Sequence, residues 1–502
     1  MTPPRHPSRR DFLHLAALGA LSLGERSLLR AESPVTLATE AMTRPGAFVP
    51  SVAMRHPLRR CPEVSASGLQ LLAKPGTAQV GGGVAAEGWL LNGSLPSPLI
   101  RVRKGELFDV ELVNQIPDPL ILHWHGLTPP EGGDGHPRFA VNPGARYHYR
   151  FPLENRAGTY WYHSHTHHRV ALHTQKGIAG MLIVEDDEEA ALGLPTGERE
   201  IPLILQDRNL DARGRPVYAH PNIMEGHMGT EPFGNGILHP FLEVDSGRYR
   251  FRVLNGANAR IFRLERSDGR PFTLVGNDGG LMDRPVSVTS VDVSPGERVD
   301  LLVDLDEVPV GESIMIWSRG FPLEGHIAEL GGQNRHQVDL EMLELRVMED
   351  GPKSPPLPAT LLPVGGPDPA QASGTRRFDF TFDRDPLTRS MEAHSINGVR
   401  FEMGRIDEHV PFGATEIWSF VNDGWFPHPV HIHGTHFKVL SRTGGRGQVM
   451  PWEGGLKDTV LIQPNERVDV AISFTAHRGL FLLHCHNLEH EDAGMMLNIQ
   501  VE

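Results

Sequence analysis

The sequence predicts an all-β protein built as three consecutive copies of one plan. From about residue 65 onward, short strand-like alternations sit between Gly, Pro and Asn turns, with little helical periodicity. Glycine and proline number 54 and 42 in 502 residues, which favours many turns over long helices. A turn-plus-strand phrase also occurs three times: "NPGARYHYRF" (142–151), "SPGERVDLLV" (294–303) and "QPNERVDVAI" (463–472).

In chain order, the first element is an address. "SRRDFLHLAALGALSLG" (8–24) sets Arg9 and Arg10 before a short apolar stretch and resembles a twin-arginine export signal, taken as residues 1–31. Removing that leader, with its five Arg, one Asp and one Glu, takes the net charge from −14 to −17. An N-terminal extension (32–64) leads into the first copy (65–195). A second copy (196–350) and a Pro-rich linker, "GPKSPPLPATLLPVGGPDPAQASG" (351–374), precede the third copy (375–502).

The copies differ in what the phrase leads to. Twenty residues after Pro143 comes His163, opening "HSH"; twenty after Pro464 comes His484, opening "HCH"; twenty after Pro295 comes Met315. A second phrase behaves alike. "LNGSLPSPLIRVRKGELFDVELVNQ" (91–115) precedes "HWHG" at His123, and "INGVRFEMGRIDEHVPFGATEIWSFVND" (396–423) precedes "HPVHIHG" at His428. "GNGILHPFLEVDSGRYRFRVLNG" (234–256) precedes no such motif. Copies one and three are therefore expected to carry the chemistry.

Composition narrows the partners. A net charge of −14 argues against nucleic acid, which needs a Lys/Arg excess on some face. No apolar run reaches the roughly 20 residues that cross a bilayer. Two cysteines cannot form a disulfide framework; Cys485 is better explained as a ligand, which leaves Cys61 an unpaired, inert thiol.

Read as strands, the His-x-His pairs each point two imidazoles to one face, about 7 Å apart along the backbone, and the residue between them to the other. His123/His125, His163/His165, His431/His433 and His484/His486 would gather eight imidazoles, a donor set suited to Cu, Zn, Fe or Ni. Cys485, between His484 and His486, then reaches a different metal. His490 and Met495 follow it at Cys-x4-His-x4-Met, and His428 precedes. Two His, one Cys and a weak thioether form the donor set of a blue-copper electron-transfer centre; Met496 is left to the core.

"HWHG", "HSH", "HPVHIHG" and "HCHNLEHEDAGMM" together resemble the four ligand motifs of the multicopper oxidases, in three-domain order across the whole chain after the leader. The resemblance implies three cupredoxin-like Greek-key β-barrels and four coppers. The type 1 copper would take His428, Cys485, His490 and Met495, with Cys485 as electron relay. The type 2 copper would take His123 and His431. One type 3 copper would take His125, His163 and His486, and the other His165, His433 and His484. Asp134 and Glu491 are expected to deliver protons rather than bind metal.

The function implied is laccase-like: one-electron oxidation of phenols or aromatic amines, coupled to four-electron reduction of O2 to water. One alternative turns the same machine on metal ions, Cu(I) foremost, for copper tolerance. A second is an exported copper-holding or structural protein without significant turnover. The chain is expected to act as a monomer, periplasmic or secreted after folded export. His167, His168 and His173 exceed the ligand requirement and are expected beside or behind the ligands or on the surface. Asp423 is a candidate at the substrate approach, and "IMEGHMG" (223–229) is a small Met cluster able to hold Cu(I) weakly or a plain loop.

Overall fold

The computed structural model describes residues 54–218, 223–323, 335–383 and 393–502; the leader and most of the extension lie outside them. Strands dominate, and they form three pairs of sheets.

The same connectivity recurs in each third of the chain because the recurring phrases occupy the same place in it. Ser67–Gly81 runs parallel to Leu107–Asn114, which pairs antiparallel with Arg146–Pro152, the strand of the first phrase. Glu200–Leu210, Arg248–Asn255 and Arg298–Asp304 repeat that arrangement, and so do Ala372–Asp383, Thr415–Asn422 and Glu466–Ser473. A parallel neighbour followed by an antiparallel one requires a crossover between sheets, the signature of a Greek-key barrel rather than a meander.

Each pair of sheets closes on its own apolar core. Leu71, Phe108 and Val110 meet Ile100, Leu122 and Leu182 in the first; Leu203, Phe251 and Leu301 meet Phe262, Ile314 and Leu345 in the second; Phe378, Trp418 and Val470 meet Val430, Leu483 and Leu497 in the third. These are inward positions of alternating strands, removed from water at about 25 cal/mol per Å2 of apolar surface.

The described part of the extension is shared out between sheets. His56–Pro57 adds to the middle third beside Pro240–Asp245, and Glu63–Ser65 adds to the first third beside Leu99–Arg103. The Pro-rich linker is tied to the middle third: Arg248 Nη1 donates to the Pro355 carbonyl at 2.6 Å, and Leu361 packs with Leu194, Val275, Leu281 and Leu302. Its last residues already belong to a strand, Ala372–Asp383. No helix among the described residues is long and apolar enough to cross a membrane.

The histidine motifs sit on two strand pairs. Leu122–His125, at a sheet edge, pairs with Gly158–Ser164 so that His123 lies opposite His163. His428–Ile432 pairs with Gly479–Cys485 so that His431 lies opposite His484. Register therefore does what sequence distance cannot: it sets opposite each other motifs 40 residues apart in the first pair and 53 apart in the second.

Candidate metal centre

All eight histidines of the His-x-His pairs are buried and lie in one group, with neighbouring ring centroids 3.6 to 6.0 Å apart. Hydrogen bonds at one ring nitrogen fix what the other can do. His123 Nδ1 donates to the Asp134 carbonyl at 2.7 Å and His431 Nδ1 to the Asp458 carbonyl at 2.9 Å. A carbonyl only accepts, so each Nε2 is left as a bare lone pair, and these two face each other at 3.3 Å.

The same logic applies to His484, whose Nδ1 donates to the Cys485 carbonyl at 3.1 Å; His433 Nδ1 shares a hydrogen bond with Asp134 Oδ2 at 2.7 Å, and the Nε2 atoms of His433 and His484 are 3.1 Å apart. His165 Nε2 stands 3.4 Å from His484 Nε2. On the other side, His163 Nδ1 donates to the Ser164 carbonyl at 3.0 Å, and His125 Nε2 to Asp458 Oδ1 at 2.9 Å. The remaining nitrogens, His163 Nε2 and His125 Nδ1, are buried without a hydrogen-bond partner among the described residues, as are both nitrogens of His486. These three rings are 4.9 to 5.8 Å apart.

A packed interior satisfies nearly all its polar atoms. Lone pairs that face one another, or face nothing, call for a cation to share them, and imidazole nitrogens suit copper. Burial also holds these imidazoles neutral, the form that ligates: His123 is pushed down to about 3 and His484 to about 4, and His125, His163, His165, His431, His433 and His486 fall well below the ordinary value. The residues present fit a group of copper ions.

A second centre lies on the other face of the strand that ends in Cys485. Its Sγ is 3.4 Å from His428 Nδ1 and 3.6 Å from His490 Nδ1, and those two nitrogens are 3.2 Å apart. His490 Nε2 donates to the Met224 carbonyl at 3.1 Å, so its Nδ1 is the ligating atom. The backbone N–H of Asn487 donates to Sγ at 3.4 Å. Burial pushes the Cys485 thiol up, so a cation must draw off its proton to gain a thiolate. The Cys-x4-His-x4-Met spacing has a local cause. The short helix Leu488–Asp492 turns the chain back through Gly494, where φ is 99°, so that Met495 N–H donates to the His490 carbonyl and its own carbonyl accepts from Cys485 N–H, both at 3.0 Å. Met495 is fully buried there, and Met496 packs with Phe401 and Leu482.

The two acids proposed for proton delivery are fully buried. Glu491 places Oε1 3.4 Å from His165 Nε2 and Oε2 3.4 Å from His484 Nδ1. Asp134 reaches His433 through its carboxylate and His123 through its carbonyl. Burial pushes both carboxyls well above the usual range, so each holds a proton more firmly than a solvated acid.

The other candidates scatter. His173 is buried, meets Ser164 Oγ at 2.7 Å, and thereby braces the residue between His163 and His165 from behind. His168 is exposed, with Nδ1 donating to the Asp492 carbonyl at 2.7 Å, and His167 stacks on it. Asp423 is largely exposed, 4.0 Å from Arg377. Cys61 packs beside Leu99 and Trp161, and burial pushes its thiol up to about 12.

Sequence reasoning missed the supports that come from outside the motifs. Asp458, one residue ahead of the strand Thr459–Ile462, binds His125 and is gripped by Arg298. That arginine comes from the phrase of the second copy, whose counterparts Arg146 and Arg467 are half-exposed at the surface. The middle third, whose phrases lead to no histidine motif, thus reaches the imidazole group through Asp458. The Gly of "HWHG" is explained here too: Gly126 has φ 88°, and a Cβ there would lie 2.6 Å from Asp458 Oδ2 and 2.7 Å from Arg298 Nη2. His394, stacked on His490, was missed entirely.

Known proteins resemble this chain along most of its length. Models of the multicopper oxidase family match residues 73–189, 223–321 and 367–502. The chain is 33% identical over 421 residues to a bilirubin oxidase of Albifimbria verrucaria, covering 81% of this chain and 71% of that one. It is 28% identical over 470 residues to a laccase of Bacillus subtilis strain 168, covering 81% and 89%. The crystal structure of the McoA multicopper oxidase from the hyperthermophile Aquifex aeolicus superposes with a TM-score of 0.81 at 32% identity, over 89% of this chain and all of that one.

Proposed function

The chain belongs to the multicopper oxidases, and within that family we propose that it is a laccase-like enzyme oxidising phenols or aromatic amines. Coppers held by the two groups would supply one-electron oxidation at the Cys485 site and four-electron reduction of O2 to water at the imidazole cluster. His428, Cys485, His490 and Met495 are assigned to the type 1 copper, His123 and His431 to the type 2 copper, and His125, His163, His486 and His165, His433, His484 to the two type 3 coppers.

The observation that carries this reading is the position of Cys485. Its sulfur stands 3.4 and 3.6 Å from His428 and His490, while its chain neighbours His484 and His486 belong to the other group. The peptide of one residue thus joins the two centres. The His484 Nδ1–H donated to the Cys485 carbonyl adds a second, shorter link at 3.1 Å.

The remaining residues manage protons and water. Glu491 spans His165 and His484, and Asp134 spans His123 and His433, so each acid borders two ligands of the cluster and can pass a proton toward it. Every ligand of the cluster is buried, so protein side chains rather than bulk solvent border it.

Names of relatives, laccase and bilirubin oxidase, support an organic reductant. A second reading, oxidation of Cu(I), is favoured by one observation: the Met224 carbonyl caps His490, and the segment that provides it also carries buried Met228. Oxygen uptake by copper-loaded protein, measured with a substituted phenol and with Cu(I) side by side, decides. The laccase reading predicts turnover of the phenol without added copper; a phenol rate seen only with excess copper contradicts it. Export by the twin-arginine route, a periplasmic or secreted location and a monomeric state complete the proposal. The first rests on Arg9 and Arg10, outside the described residues.

A further inference from the structure

None of the four ligand motifs includes His394, on the strand Ala393–Ile396, yet its ring lies almost flat on that of His490, with centroids 3.7 Å apart and planes 21° from parallel. It is fully buried, stands 5.9 Å from the His428 ring, and is closed in by Phe382 and Phe426. One ring nitrogen from each of His394, His428 and His490 lies within 4.8 Å of the other two.

The two stacked rings are pinned in the same sense. His394 Nε2 donates to the Ile223 carbonyl at 2.8 Å, and His490 Nε2 donates to the next carbonyl, that of Met224, at 3.1 Å. Both Nε2 atoms must therefore carry the hydrogen, and both Nδ1 atoms are bare. The His490 Nδ1 faces Cys485 and His428. The His394 Nδ1 is buried with no hydrogen-bond partner among the described residues. A buried acceptor without a donor is costly unless a nearby positive charge uses it.

We propose that His394 is a positioning residue of the mononuclear copper site: its stack fixes the plane of His490, and its bare Nδ1 favours the more highly charged oxidised metal, which lowers the reduction potential of the site. The proposal rests on the assignment of His428, Cys485 and His490 to that copper. Groups just outside a metal's ligands commonly set its electronics in this way, and a lone pair a few ångströms from a buried ion acts through little intervening dielectric.

The test is a redox titration of the blue absorption in the copper-loaded full chain, with the electron paramagnetic resonance spectrum recorded alongside. His394→Phe keeps a flat ring and removes the lone pair; His394→Asn restores a side-chain acceptor; His394→Leu removes both ring and acceptor. The proposal predicts that the Phe and Leu variants stay blue, with copper retained and the potential raised, and that the Asn variant returns toward wild type. Potentials unchanged in both the Phe and Leu variants overturn it. If the Phe variant does not fold, the Leu and Asn variants decide: a higher potential in Leu supports the proposal, and equal potentials overturn it. A wild-type protein that takes up copper without turning blue refutes the site assignment instead, so the two failures are distinguishable.

Discussion

Arg298 and Asp458 meet as a doubly hydrogen-bonded ion pair, Nη1 to Oδ1 at 2.8 Å and Nη2 to Oδ2 at 2.5 Å, with neither side chain exposed. Asp458 Oδ1 also accepts from His125 Nε2, so one guanidinium from the second copy sets the orientation of an imidazole in the first through a carboxylate in the third. Burial would raise the Asp458 carboxyl, yet Arg298 holds it well below the usual range, so the acceptor stays charged. Arg298→Leu strands that charge and is expected to destabilise the protein by about 3–5 kcal/mol. Denaturant unfolding measures the loss, and copper analysis of the folded fraction is expected to show a depleted cluster. Arg298→Leu combined with Asp458→Leu should recover part of the stability without recovering the copper.

Glu491→Gln and Asp134→Asn keep the size of each side chain and remove the transferable proton. Both variants are expected to retain copper and blue colour while oxygen uptake falls by roughly a hundredfold. Uptake close to wild type in both would show that protons reach the cluster by another route.

Acid should weaken the protein through Glu189. Burial works to raise this carboxyl, but Arg252 and Arg250, at 2.6 and 2.7 Å, outweigh it and hold it at about 2 against an ordinary 4.5. The folded state binds this proton more weakly than the unfolded chain does. The stabilisation, about 3 kcal/mol, is therefore complete above pH 4.5 and disappears as pH falls toward 2. Thermal unfolding of Glu189→Gln against wild type, followed from pH 6 down to pH 3, should show the gap between them narrowing over the acid end.

Gly296 turns at φ 86°, and a Cβ there would stand 3.0 Å from His486 and 3.1 Å from His125. Gly296→Ala adds backbone strain of about 1–2 kcal/mol and presses on two cluster ligands. The expected result is a stable but less copper-replete protein, with the cluster depleted and the Cys485 site still coloured; copper content together with the visible spectrum checks it.

The architecture was legible because the chain repeats itself. Matching offsets from Pro143 and Pro464 to His163 and His484 point to equivalent strands, and the structure pairs those strands with His123 and His431 respectively. Ligand candidates were legible because His-x-His on a strand fixes the facing of its own side chains. Asp458, Arg298 and His394 were not, for a physical reason. Each acts across a junction between thirds of the chain or between strands remote in sequence, and a lone Asp, Arg or His outside the His-x-His pattern has no partner spacing to betray it. The second copy lacks the histidines that mark the other two, so nothing in its motifs pointed to Arg298 or to the carbonyls of Ile223 and Met224, which carry its contacts with the two groups.

The most direct test of the two-centre account compares the visible spectrum and copper content of copper-loaded wild type with those of Cys485→Ser. The account predicts an intense blue wild type and a colourless variant that keeps its cluster copper yet consumes no oxygen with any reductant. A variant that remains blue, or a fully copper-loaded wild type without colour, would contradict it.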